Sequence, residues 1–167
     1  SNSKKIILPG VGRMDAGMKN LKNSKIDQAI HSAVKNKETK LLGVCLGMHL
    51  LFNHSEEGNC EGLGLVSGKV KKFNFINKNL KIPHMGWNSI NFVKKSKLFS
   101  KEEKNQHYYF VHSYYVECNN SEDIVATCNY GNDFTSVIER DNIMGVQFHP
   151  EKSHSSGKNL CKKFNLL

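Results

Sequence analysis

The stretch Leu41-Leu42-Gly43-Val44-Cys45-Leu46-Gly47-Met48-His49-Leu50-Leu51-Phe52 constrains this chain more than any other. Leu41 to Val44 is a short apolar run that reads as a buried strand, and an apolar, helix-like run follows Cys45. A cysteine framed by Gly43 and Gly47 at such a junction has the pattern of a nucleophile elbow. The turn is so sharp that its neighbours must be small, and the side chain stands clear at the C-terminal edge of a sheet. A thiol there sits at a helix N-terminus, whose unpaired N–H groups favour the thiolate. The alternative is a structural cysteine in an ordinary strand–helix unit, and the elbow alone does not separate the two.

The far end of the chain separates them. Gly145-Val146-Gln147-Phe148-His149-Pro150-Glu151-Lys152 alternates like a strand and ends in a histidine and a glutamate two residues apart. On an extended chain, positions i and i+2 point the same way. The Glu151 carboxylate can therefore orient the His149 ring, as the third member of a nucleophile–base–acid triad does. Near the start, Lys4 to Leu8 reads as a strand and Pro9-Gly10-Val11-Gly12 as the turn after it. Its glycines allow backbone N–H groups to face a ligand, so this loop can offer an oxyanion donor.

Length and hydropathy set the frame: 167 residues suit one domain, taken as residues 1–167, with a proper core. No apolar run has the length of a membrane span and no signal peptide is visible. Five scattered cysteines, without a C-x-x-C pair, speak against a disulfide framework or a zinc site and for a reducing cytoplasm. The net charge of +9 comes from lysines spread in twos and threes, as in Lys71-Lys72 and Lys162-Lys163, which fits solvated faces better than a nucleic-acid site.

Along the chain, helices are expected over about Ala16 to Leu21 and Ile26 to Lys35. In the second, Ile26, Ala29, Ile30, Ala33 and Val34 share the spacing of one buried face. From Gly62 the pattern is of short strands: Gly64 to Val66, Lys69 to Phe73, Lys81 to Pro83 and Ser89 to Val93, with Pro83 to Asn88 a loop holding the only tryptophan. Tyr108 to Val116 reads as one strong strand. Ile124 to Asn129 and Phe134 to Ile138 form a hairpin around Gly131-Asn132-Asp133, and Ile143 to Phe148 is a further strand. A last helix, about Gly157 to Leu166, sets Leu160, Cys161 and Phe164 on one side.

Leu8-Pro9-Gly10-Val11-Gly12, the cysteine elbow, Pro83-His84-Met85-Gly86-Trp87-Asn88, Tyr109-Phe110-Val111-His112-Ser113-Tyr114 and Gln147-Phe148-His149-Pro150-Glu151-Lys152-Ser153 occur in this order. They resemble the motifs of class I (triad) glutamine amidotransferases, most closely the glutaminase subunits of imidazole glycerol phosphate synthases, from about Ile6 to the C-terminus. The resemblance implies a three-layer, flavodoxin-like α/β fold with a mixed sheet, here without the strand–helix–strand portion that normally comes first. It implies Cys45, His149 and Glu151 as the triad, and oxyanion N–H groups near Val11 or Gly12 and at Leu46. Gly10, His49, Glu56, His112, Ser113 and Tyr114 are then expected around the substrate glutamine. Met85, Trp87, Tyr109 and Lys152 are expected to face a partner, and no cofactor or metal is expected.

The same resemblance implies a (β/α)-barrel cyclase subunit in a heterodimer, which uses the released ammonia to make imidazole glycerol phosphate in histidine biosynthesis. Free ammonia is mostly protonated at neutral pH, so a glutaminase of this kind calls for a sheltered path to its consumer. One departure stands out: His49 occupies the position, four residues after the nucleophile, where the family usually has a substrate-binding glutamine. Gly12 to Met18 and Glu151 to His154 also suggest paralogues that feed sugar amidotransferases in surface-polysaccharide pathways. A non-catalytic relative and a cysteine protease on a related fold are weaker alternatives.

Overall fold

The computed structural model describes residues 4–75, 80–99 and 106–167. Strand β1 (Lys5–Leu8) leads through the Pro9 to Gly12 loop into helices α1 (Met14–Asn23) and α2 (Ile26–Lys35). Strand β2 (Lys40–Val44) ends at Cys45, from which the one-turn helix α3 (Leu46–Leu50) starts. Short strands β3 (His54–Ser55) and β4 (Cys60–Glu61) precede β5 (Gly68–Lys72), β6 (His84–Ser89) and β7 (Asn91–Phe92). Then come β8 (His107–His112), β9 (Tyr114–Cys118), β10 (Ile124–Tyr130), β11 (Asn132–Arg140), β12 (Ile143–Val146) and helix α4 (His154–Leu166).

Among the described residues one sheet runs β1-β2-β12-β11-β9-β5-β3-β4, with β10 and β7 branching from β11; β6 and β8 pair separately. The part that positions the site is β1-β2-β12. β2 is parallel to both neighbours, with Leu8 opposite Gly43 on one side and Val146 opposite Val44 on the other. All three strands end at the same edge, where open α/β sheets place their ligands.

Side chains alternate across this sheet, as period-2 geometry requires. Leu41, Ile138 and Ile143 pack with α1, α2 and α3, together with Met48, Leu51 and Phe52. Leu42, Val137 and Met144 pack on the other face with Tyr108, Phe110, Phe148 and, from α4, Leu160 and Phe164. Helices or a ribbon thus cover both faces of a mixed sheet, which gives the three layers of the expected fold. No helix among the described residues is long and apolar enough to cross a membrane.

Several elements differ from the sequence reading. Tyr108 to Val116 is not one strand: it breaks at Ser113, so that β8 pairs with β6 and β9 with β5 and β11. Pro83 to Asn88 is accordingly not a loop, because His84 to Asn88 pairs residue by residue with His112 to Tyr108. Gly64 to Val66 and Lys81 to Pro83 are irregular rather than strands. Gly131 alone turns the β10–β11 hairpin, at φ +73°, and Asn132 and Asp133 already lie in β11. In α2 only Ile30 and Val34 are buried; Ile26 and Ala29 face an open hollow beside Ile7. Cys161 is exposed on α4, while Leu160 and Phe164 reach the core.

The elbow glycines are fixed by close approach. A Cβ on Gly47 would lie 1.7 Å from the Leu8 carbonyl oxygen, and one on Gly43 would lie 2.6 Å from that of Gly47. Only hydrogen fits in either place, because the obstructing atoms are backbone and cannot rotate away. Gly47→Ala is expected to destabilise the fold by about 3 kcal/mol, read as a shift in the urea unfolding midpoint. An unchanged midpoint would show that β1 yields without cost.

Candidate active site

Cys45 adopts φ 52° and ψ −110°. That is left-handed backbone which a β-carbon resists, and the strain is held by the paired strand before it and the helix after it. Its N–H donates to the Val146 carbonyl at 2.8 Å, which ties the nucleophile position to β12. Because β2 and β12 run parallel and in register, the chain leaving Val146 reaches the same edge. Three residues later it delivers His149.

His149 is buried, and its Nδ1 lies 2.7 Å from Glu151 Oε1. A carboxylate only accepts, so Nδ1 carries the proton and Nε2 is left as the basic nitrogen. The turn that holds this pair is itself anchored. The His149 N–H donates to the Tyr109 carbonyl at 2.9 Å. Buried Ser153 donates from Oγ to the His149 carbonyl at 2.6 Å and accepts the Tyr109 N–H at 3.0 Å.

Cys45, Leu46, His49, His149, Val11, Gly12, His112, Ser113 and Tyr114 line one cavity of about 510 Å³. Gly10 stands behind it, where an added Cβ would come within 3.0 Å of the Leu46 Cβ. Val11 is 83% exposed and Gly12 has φ +97°, so this loop faces the cavity from the solvent side. A larger hollow between β1 and α2, about 810 Å³, is lined by neither cysteine nor histidine.

One expected substrate residue is displaced by a single position. Glu56 is exposed, accepts from the Lys72 N–H at 2.8 Å and lines a separate hollow. Glu57 instead faces the Cys45 cavity and accepts the Met14 N–H at 2.9 Å. Met14 opens α1, so this carboxylate sits at a helix N-terminus, with Arg13 beside it. Burial raises its pKa, while Met14 and Arg13 pull it back. In a polar turn the two neighbouring glutamates look alike in sequence. What distinguishes them is that Glu56 follows the β3 edge towards β5, whereas Glu57 turns towards α1.

The thiol is not the resting thiolate that its place at a helix start suggests. Burial pushes Cys45 up to about 11, although the Leu46 N–H donates to it. At neutral pH the sulfur is therefore protonated, and His149 lines the same cavity.

Behind the cavity lies a chain of neutral histidines. His112 Nδ1–H donates to the Tyr114 carbonyl at 2.8 Å, so its Nε2 accepts from His84 Nδ1–H at 2.9 Å. The His112 ring is therefore committed to holding the Ser113 break rather than free for a ligand. Among the expected partner residues, Met85 is 61% and Trp87 47% exposed. Trp87 stacks on His154 at 5.0 Å, and the Lys152 ammonium lies 5.7 Å above the half-buried Tyr109 ring. Sequence reasoning missed Glu57, Arg13, Ser153 and His154 as members of these clusters. Ser153, Arg13 and His154 each lie within a quoted motif, whereas Glu57 left no signal that sets it apart from Glu56.

Burial pushes His49 and His84 down to about 4 and His112 well below its ordinary value. Well above pH 6.5 all three are neutral folded or unfolded, so they add no pH dependence to stability there. As pH falls from there towards 4, the unfolded chain takes up protons that the folded chain refuses, and stability drops. With about 1.4 kcal/mol per pH unit for each proton, the loss between pH 6 and pH 5 is expected to be about 3 kcal/mol. Urea unfolding at the two pH values checks this, and equal stabilities would contradict it.

The comparisons with known proteins agree with this geometry. The family model for glutamine amidotransferase class-I matches residues 1–166. The imidazole glycerol phosphate synthase subunit HisH 2 of Methanococcus maripaludis is 51% identical over 164 residues, covering 98% of this chain and 81% of that protein. Subunit HisH of Leptospira borgpetersenii is 48% identical over 165 residues, with the same two coverages. A crystal structure of a glutamine amidotransferase superposes with a TM-score of 0.70 at 15% identity, covering 97% of this chain and 79% of that one.

Proposed function

Since this chain belongs to the class-I glutamine amidotransferases, we propose that it is the glutaminase subunit of an imidazole glycerol phosphate synthase. Its substrate is then glutamine, and its ammonia goes to a cyclase subunit. The observation that carries the chemistry is the meeting of Cys45 with His149, itself bonded to Glu151, in one cavity at the C-terminal edge of β2 and β12. The client is carried by the relatives, which are named as subunits of that synthase.

In this reading His149 Nε2 takes the thiol proton and the Cys45 sulfur attacks the side-chain carboxamide carbon of glutamine. The tetrahedral oxyanion is met by the Leu46 N–H, with Val11 or Gly12 supplying the second donor. His149 passes the proton to the leaving nitrogen, the carbon–nitrogen bond breaks, and ammonia departs from a glutamyl thioester. His149 then takes a proton from water, whose oxygen attacks the thioester. Glutamate leaves and the thiol is restored, with Glu151 holding the ring throughout. Glu57 receives the substrate's ammonium group, and the backbone at Ser113 and Tyr114 holds the amino-acid end.

Met85 and Trp87 on β6, with Tyr109 and Lys152, form the docking face for the cyclase subunit. The face is a short step from the chemistry, because Tyr109 also holds the His149 N–H. Five free cysteines support a reducing compartment such as the cytoplasm.

Glutamate release from glutamine tests the reading on the full-length protein, alone and with the cyclase subunit. Release is expected to be low alone, to rise with the partner and to vanish in Cys45→Ala. Cys45-dependent release indifferent to the cyclase would overturn the client, and no such release under either condition would overturn the glutaminase. Glu57→Gln is expected to lower kcat/KM for glutamine by about 10- to 100-fold, the size of one charge-assisted hydrogen bond. Glu56→Gln should leave it nearly unchanged, and equal effects would remove Glu57 from its role.

A further inference from the structure

His49 lies one helical turn after Cys45, so the two side chains share a face of α3. A substrate contact is the natural expectation for it, since it borders the Cys45 cavity, yet its ring is taken up by a neighbouring side chain. It is 4% exposed and its Nε2 lies 2.8 Å from Gln147 Oε1. Gln147 is fully buried, two residues before His149. The other end of its amide, Nε2, is 3.9 Å from the Cys45 sulfur. An amide oxygen only accepts, so His49 must donate Nε2–H to it. That bond decides which way the amide faces. Reversed, it would set an oxygen against the sulfur and an NH₂ group against the His49 N–H.

We propose that His49 and Gln147 form a positioning pair for the nucleophile: His49 locks the Gln147 amide so that an N–H, rather than an oxygen, faces the Cys45 sulfur. The inference rests on Cys45 being the nucleophile of the function proposed above. It assigns His49 a role that acts through Gln147, and it removes His49 from direct substrate contact.

The physical need for such a pair is plain at this site. A buried sulfur resists taking charge, and N–H groups aimed at it favour the thiolate. Gln147 supplies one from the core side and Leu46 supplies another from the backbone. A histidine suits the lock because its burial keeps the ring neutral far below physiological pH. It therefore remains a donor of fixed tautomer and brings no positive charge of its own.

The test reads the reactivity of Cys45 with iodoacetamide against pH on the full-length protein, by peptide mass mapping so that the other cysteines do not count. Gln147→Glu keeps the shape of the side chain but replaces the donor with an oxygen. His49→Leu removes the lock, and His49→Gln restores a donor. Since the thiolate is the reacting form, Gln147→Glu is expected to slow alkylation at neutral pH by about tenfold and raise its pH midpoint by about one unit. His49→Leu should do the same to a smaller extent, and His49→Gln should recover most of the rate. With the cyclase partner present, kcat for glutamine should fall in parallel with alkylation while KM holds.

Unchanged alkylation in Gln147→Glu overturns the proposal. So does a raised KM with unchanged alkylation in His49→Leu, which would return His49 to the substrate. Should a variant fail to fold, side-chain ¹⁵N shifts of the unaltered protein decide: a proton on His49 Nε2 supports the lock and one on Nδ1 overturns it. Alkylation needs no glutamine turnover, so a chain without glutaminase activity would sink the functional reading and still leave this test readable.

Discussion

The parallel, in-register pairing of β2 with β12 is the constraint from which the site follows. Val44 lies opposite Val146, and the Cys45 N–H bonds to the Val146 carbonyl. A slip of one residue would send every side chain of β12 to the opposite face. It would carry Gln147 and His149 away from the sulfur and exchange Met144 and Ile143 between the two cores. Two hydrophobic layers therefore enforce the register that chemistry requires. The glycines at 43 and 47 let β1 and α3 close on this pair without a gap. Stability and site geometry are thus one requirement, and a packing error in β12 would be felt first at His149.

Around that frame the site sets neutral buried groups beside the Glu57 and Glu151 carboxylates and the Arg13 guanidinium. Burial lifts the thiol of Cys45 and lowers His49, His84 and His112, so each rests uncharged at neutral pH. Each imidazole is fixed by a carbonyl, an amide or another ring, which settles where every proton sits. His149 differs from them in having a carboxylate partner. On the mechanism proposed above, the thiol proton moves to His149 while Glu151 holds the ring. The histidines that remain neutral give shape without competing for that proton.

How much of this the sequence disclosed depends on how local each signal is. The elbow was legible because two glycines around a cysteine report a backbone that only one kind of turn adopts. Helix α2 was legible over its full length, Ile26 to Lys35, from its 3.6-residue period. His149 and Glu151 were legible from their closeness in sequence, although Glu151 lies in a 3-10 turn over Pro150–Lys152 rather than on the extended chain that the spacing suggests. Ser113 was not, since an aromatic and β-branched run from Tyr108 to Val116 reads as continuous strand. The break is imposed by tertiary pairing of its two halves with different sheets and by the His112 bond to the Tyr114 carbonyl. Glu56 and Glu57 could not be told apart for the same reason: which one faces the cavity depends on α1 reaching back to take the carboxylate.

The ribbon of β6 and β8 joins these levels. One strand, β8, carries Tyr109, whose carbonyl holds the His149 N–H, and His112, whose ring holds the Ser113 break. Its mate β6 carries Met85 and Trp87 outward and His84 inward, on alternate faces of the same strand. The outer face is therefore linked through one strand pair to His112, by His84, and to His149, by Tyr109. Among the described residues the ribbon forms a sheet of its own, tied to the main sheet by the Asn88 side chain, which donates to the Asn129 carbonyl. A partner seated on the Trp87 face, as proposed above, would therefore bear on the strand pair that anchors the His149 turn.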